Sequence, residues 1–196
     1  MPSVRLVAGL GNPGREHFAT RHNAGFWFVD ALASRLGAAF LTEGKFHGQV
    51  AKGAGDLRLL KPSTYMNLSG RSVSAIARFF AIAPQEIVVV HDELDLPAGE
   101  VKMKFGGGIA GHNGLRDIAA QLGTQDFWRL RIGIGHPRDS SIPQQDVADY
   151  VLAPPSGDDR AAIVAAIDRG LDAWPDIAGG EFERAMLVLH TRKETP

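Results

Sequence analysis

The chain has no cysteine. That single absence excludes disulfide frameworks, thiolate nucleophiles, iron–sulfur clusters and cysteine-ligated zinc. Also missing is any apolar run near the roughly 18 residues that would cross a bilayer, and the opening MPSVRLVAGLGNPG lacks a signal-peptide cleavage pattern. Neither sign of charge is in excess: 21 Lys and Arg stand against 22 Asp and Glu. This argues against a polycation but leaves room for a local basic patch. There is no internal repeat, no low-complexity tract, no H-E-x-x-H and no G-x-S-x-G. The expectation is a soluble cytoplasmic protein. At 196 residues, one domain over 1–196 with a sizeable core is the default.

The richest stretch is Gly9–Asn23, GLGNPGREHFATRHN. It follows an apolar strand over Val4–Leu10, and Gly-Asn-Pro-Gly forces a turn, because glycine admits positive φ and proline fixes its own. A helix is predicted near 23–36 and two extended segments at Phe46–Lys52 and Leu57–Lys61. Ser69 reads as the cap of a helix striped by Val73, Ile76, Ala77 and Phe80. EIVVVH at 86–91 is a continuous β-branched strand, VKMKF at 101–105 an edge or antiparallel strand, and WRLRIGIG at 128–135 a further strand. Leu115, Ile118, Ala119 and Leu122 mark a helix closed by Gly123. Residues 138–156 read as a loop-rich segment and 157–192 as C-terminal helices, one carrying Ile163 through Trp174 and another Phe182 through Leu189. The fold class is α/β: a single-domain α/β/α sandwich with a twisted mixed sheet flanked by helices.

Polar residues concentrate in four connections: Asn12 to His22, Tyr65-Met66-Asn67, His91-Asp92-Glu93 and His112-Asn113. Three of these follow strands, where ligand sites gather in open α/β sheets. Gly106–Gly111 is a literal G-x-G-x-x-G, but the strand before it is half polar and no acid lies about 20 residues on to hold a ribose. A loop or a close backbone approach is the better use of those glycines. For zinc, His17 and His22 are a poor ligand pair, five apart across a loop, and HDELD has no second histidine at helical spacing. What remains is a histidine that activates water with a carboxylate partner, supported by asparagine amides. Bland roles compete locally: Asn23 and Asn113 as helix caps, Asp92 as a turn cap, Tyr65 and Met66 as core filler. Residues 101–138 carry Lys102, Lys104, Arg116, Arg129, Arg131 and Arg138 against Asp117 and Asp126. Lys102 with Lys104, and Arg129 with Arg131, give two basic strand faces, either solvated sheet or a phosphate-backbone footprint.

These motifs together resemble the bacterial-type peptidyl-tRNA hydrolases. LGNPG with TRHN, KPSTYMNLSG, VHDELDLP-G, GGG-x-x-GHNGL-D and RLRIGIGHP match the family in order over about residues 4 to 190. The resemblance implies an enzyme that hydrolyses the ester between a peptide, or another N-blocked aminoacyl group, and tRNA. It implies His22 as general base and Asp92 as the group that orients it. Asn12, Asn67 and Asn113 would line the site, Tyr65 and Met66 would form its apolar wall, and Lys102, Lys104 and Arg131 would meet the tRNA. It further implies a monomer with no metal or organic cofactor, whose partner is peptidyl-tRNA at its acceptor end and phosphate backbone. Two positions depart from the pattern. His17 stands where an aromatic substrate contact is usual, and Ala110 replaces a common glycine, at a cost if the position needs φ > 0. The alternatives are an inactive tRNA- or ribosome-binding protein on the same scaffold, and a hydrolase of other N-acyl esters or amides.

Overall fold

Side-chain alternation in the central strands divides the core in two. In β1 (Leu6–Gly9), Val7 packs with Phe28 and Ile167 on one side, while Leu6 and Ala8 pack with Ile76 and Ile118 on the other. β5 (Ile87–Glu93) repeats this, Val88 and Val90 facing one core and Ile87 and Val89 the other. Strands apolar on both faces must be covered on both, and the computed structural model, which describes residues 2–191, covers them with helices. On the first side lie α1 (Ala24–Leu36), α5 (Gly157–Asp172), α6 (Trp174–Ala178) and α7 (Phe182–His190). On the second lie α2 (Ser69–Phe79) and α3 (Asn113–Leu122), and the short α4 (Val147–Val151) adds Tyr150 and Val151 to the first core.

The other strands are β2 (Leu41–Glu43), β3 (Gly48–Lys52), β4 (Arg58–Pro62), β6 (Val101–Phe105) and β7 (Trp128–Gly133). The sheet order is β2-β3-β4-β1-β5-β7-β6. The four strands β4, β1, β5 and β7 run parallel, and antiparallel strands close both edges. The predicted mixed sheet and the antiparallel edge strand at 101–105 are both present. Several local expectations need correction. The strand β2 was not foreseen. The run Ile163–Trp174 is two helices, because Pro175 starts α6 in its first turn. The loop-rich segment 138–156 contains α4. Ser69 does not cap α2: it is the first helical residue, its hydroxyl donates to the Met66 carbonyl, and Asp117 of α3 accepts the Gly70 N–H instead. The predicted helical tail ends at His190, and residue 192 lies outside the described residues.

One close approach fixes where α1 begins. A Cβ on Gly25 would lie 2.4 Å from the Val90 carbonyl oxygen and 2.5 Å from the Leu10 nitrogen. Only glycine lets the helix start against the ends of β1 and β5, and His22 sits one turn earlier. Gly25→Ala is expected to destabilise the fold by about 1–3 kcal/mol through forced backbone shifts. A lower urea midpoint at unchanged m-value would report it, and an unchanged midpoint would refute the tight fit.

Candidate active site

After β1 the chain passes through α1 to the edge strand β2 and returns by β3 to β4 on one flank, while β5 lies on the other, so the strand order reverses at β1. Crevices form beyond the C-terminal strand ends at such switch points. A cavity of about 630 Å³ opens there. Its polar lining includes Asn12, His22, Asn67, Asp92, His112 and Asn113; Tyr65, Met66, Val147, Val151 and Leu152 supply apolar surface. Residues predicted from four separate connections therefore share one cavity. His17 is not among its lining residues: it lies in a 3₁₀ turn, half-buried, 3.7 Å from the Glu16 carboxylate.

Asp92 is buried and holds two histidines. Its Oδ2 is 2.8 Å from His22 Nδ1, and its Oδ1 is 2.9 Å from His112 Nε2. A carboxylate only accepts, so His22 donates through Nδ1 and keeps the Nε2 lone pair at the cavity. The same logic fixes His112. Its Nδ1 accepts the Leu115 N–H at 3.3 Å, which caps α3 and leaves the proton on Nε2, facing Asp92. His112, rather than Asn113, is thus the cap. Burial alone would raise the Asp92 carboxyl; the two histidines reverse this and hold it well below the usual carboxylate range. For His22, burial works downward, but the charge and hydrogen bond of Asp92 outweigh it and raise the imidazole above 6.5.

One atom from each of His22, Asp92 and His112 lies within 4.8 Å of the others, close enough for three ligands of a metal ion. The donor set fits such an ion poorly. His112 Nε2 carries the proton that its Nδ1 must lack in order to accept from α3, so ligation through Nε2 would turn an N–H toward an N–H and break the cap.

Behind this pair, His91 is fully enclosed. Its Nδ1 donates to the Asp92 carbonyl at 2.8 Å, and its complete burial, the largest cause, pushes it down to about 3. The unfolded chain therefore binds a proton between pH 6.5 and about 3 that the folded chain refuses. Stability from neutral His91 is complete above about 6.5 and lost as the pH falls toward 3. Urea midpoints are expected to fall between pH 7 and pH 4, and His91→Asn to flatten that part of the decline. A variant that tracks the wild type at every pH would contradict this.

Asn12 is gripped on three sides. Its Oδ1 accepts the Met66 N–H at 2.8 Å, its own N–H donates to Asn23 Oδ1 at 2.8 Å, and its carbonyl accepts from Asn23 Nδ2 at 2.9 Å. The Asn12 amide is thereby oriented, with its oxygen turned to the Met66 N–H and its NH₂ left to donate. Asn23 stands at the N-cap position of α1 but makes no capping bond; its side chain is used entirely on Asn12.

The far wall of the cavity is α4, tied to the residue beside His22. Arg21 lies with its guanidinium 3.8 Å over the Tyr150 ring and donates to the carbonyls of Tyr150 and Ala153. The Tyr150 hydroxyl donates to the Ile134 carbonyl at 2.7 Å, anchoring α4 to the strand end.

Lys102 pairs with Arg131 and Lys104 with Arg129 across β6 and β7, so the two predicted basic faces are one. Residues directly opposite share a sheet face. The expectation of a uniformly solvated face fails at Arg129, which is buried under the loop that follows β6. Arg131 is half-buried and pairs with Glu93 at 2.8 Å. Ala110 takes φ 51°, so its departure from the common glycine carries the anticipated backbone cost, about 1–2 kcal/mol.

Sequence reasoning missed His112 as a partner of Asp92 and Arg21 as the anchor of α4. The only signal for the first was that His112 stood in one of the four converging connections.

Comparison with known proteins agrees with the geometry. The sequence pattern of one family, Peptidyl-tRNA hydrolase, matches residues 6–196. A peptidyl-tRNA hydrolase of Cupriavidus necator is 53% identical over 97% of this chain and 100% of its own length. One from Nitrosospira multiformis is 52% identical over 98% and 100%. The crystal structure of peptidyl-tRNA hydrolase from Acinetobacter baumannii superposes with a TM-score of 0.92 at 42% identity, covering 100% of this chain and 99% of that one.

Proposed function

We propose a division of labour in the site on the premise that the chain belongs to the peptidyl-tRNA hydrolase family, an enzyme that hydrolyses the ester between peptide and tRNA and releases the tRNA. The observation that carries it is the 2.8 Å contact between His22 Nδ1 and Asp92 at the edge of the cavity. His22 Nε2 takes a proton from water as that water attacks the ester carbonyl, and Asp92 steadies the imidazolium that forms. An ester is activated enough for this to suffice without a covalent nucleophile. His112 keeps Asp92 aimed from its other oxygen. Asn67 and Asn113 hydrogen-bond the substrate, and Tyr65 and Met66 give it an apolar wall. Lys102, Lys104 and Arg131 meet the tRNA phosphate backbone from their shared sheet face, and His17 contacts substrate outside the cavity proper. The enzyme works in this reading as a cytoplasmic monomer with neither metal nor organic cofactor.

Asn12 selects blocked substrates. With its oxygen held by Met66, its NH₂ donates to a carbonyl oxygen of the peptide and opposes the ammonium of a free aminoacyl group, donor against donor. Asn12→Asp keeps the bond to Met66 but turns an anionic oxygen into the cavity. The preference for N-acetyl-aminoacyl-tRNA over unblocked aminoacyl-tRNA, as a ratio of kcat/KM, is expected to fall by about tenfold or more. Unchanged discrimination would exclude Asn12 as the reader.

A further inference from the structure

Arg129 is an arginine with an odd set of partners. It stands on the cationic face of β7, yet it is only 1% exposed and its guanidinium turns under the 106–112 loop. There it donates to the carbonyls of Gly106, Gly107 at 2.9 Å and Gly108 at 3.2 Å, with a longer contact to Gln125 at 3.4 Å. Its plane lies over the Phe127 ring, 4.8 Å from the centroid. Three consecutive carbonyls can converge on one cation only if the backbone folds back on itself. Gly106 and Gly107 do this at φ 61° and 86°, where side-chain-bearing residues are strained. The glycine run thus serves as a cradle of carbonyls around an internal cation.

The loop held this way leads straight to the site. Four residues past Gly108 stands His112, whose N–H closes a turn onto the Ile109 carbonyl and whose ring meets Asp92. The Lys104 side chain packs along the same cradle, since a Cβ on Gly107 would come within 2.5 Å of its Cε.

We infer that Arg129 is a positioning residue for the hydrolysis: it gathers the Gly106–Gly108 carbonyls, fixes the loop that brings His112 onto Asp92, and spends its charge there instead of on the tRNA backbone. The inference rests on His22 and Asp92 being base and orienting group.

The test compares Arg129→Gln and Arg129→Lys with wild type on N-acetyl-aminoacyl-tRNA, reading kcat, KM, the salt dependence of tRNA affinity, and amide exchange over 106–112. Arg129→Gln is expected to lower kcat by about tenfold or more and to speed exchange across the loop. The slope of log K against log salt should stay unchanged, and Arg129→Lys, which keeps a buried cation, should recover part of the rate. A salt slope shallower by about one, with kcat intact, would make Arg129 a phosphate contact and overturn the inference. So would wild-type kcat with wild-type loop exchange. If Arg129→Gln does not fold, the same readings on Arg129→Lys decide, slower turnover with faster loop exchange supporting the inference. The exchange reading does not depend on the base assignment, so a His22→Ala enzyme at full rate would refute that assignment while leaving the loop result standing.

Discussion

Replacing His22 with alanine is expected to reduce kcat for release of N-acetyl-aminoacyl groups from tRNA by about 10²–10⁴-fold, with KM nearly unchanged. Among the residues lining the cavity, His22 alone combines a free imidazole lone pair with a hydrogen bond to a buried carboxylate. Its other ring nitrogen is committed to Asp92, so it can only accept at the cavity side. Since Asp92 raises its affinity for protons above the ordinary 6.5, the neutral base accumulates as the pH rises through that higher value. The acid limb of the kcat profile should therefore have its midpoint above 6.5. Equal rates for wild type and His22→Ala would remove the base from the mechanism.

Asp92→Asn comes next in size and is more diagnostic, because it keeps the volume and changes the proton inventory. The aspartate accepts from two N–H groups, one on each histidine. An asparagine can offer one of them an oxygen, but it turns an NH₂ toward the other, and two donors cannot bond. Either His22 adopts the wrong tautomer or His112 gives up its cap on α3. A rate loss of about 10²–10⁴-fold is expected, with tRNA affinity retained. With the carboxylate gone, burial is left to act on His22 without opposition and pulls its proton affinity down. The acid limb should then move to lower pH than in the wild type. A limb that stays in place would mean that Asp92 does not set the charge of His22.

The central fold was legible because its signal is physical and local. A run such as IVVV has no polar face, so it must be covered on both sides, and VKMKF, alternating with lysine, need be covered on only one. What escaped was short or tertiary. β2 has three residues and little burial, and α4 has five, too few to show a period. Pro175 did mark the break between α5 and α6, but the apolar spacing ran across it and masked it. Within the site, the residue types pointed to a histidine with a carboxylate partner, and the family resemblance named His22, Asp92 and Asn12. The second partner of Asp92 was not legible, because His112 reaches it from 20 residues away through a loop whose path depends on a buried arginine. Local pattern also favoured capping for Asn23. It lost because the Asn23 amide supplies complements to both the N–H and the carbonyl of Asn12 at once.

That exchange between Asn23 and Asn12 has a consequence for how the site opens. A primary amide that donates to a carbonyl and accepts from the N–H of the same residue behaves as one detached rung of a strand ladder. The floor of the cavity is thereby sewn to the first turn of α1, and through Asn12 Oδ1 to the backbone at Met66. Three segments distant in sequence are joined by side-chain bonds, so a fluctuation that loosens the floor must break them and leave buried amide groups unpaired.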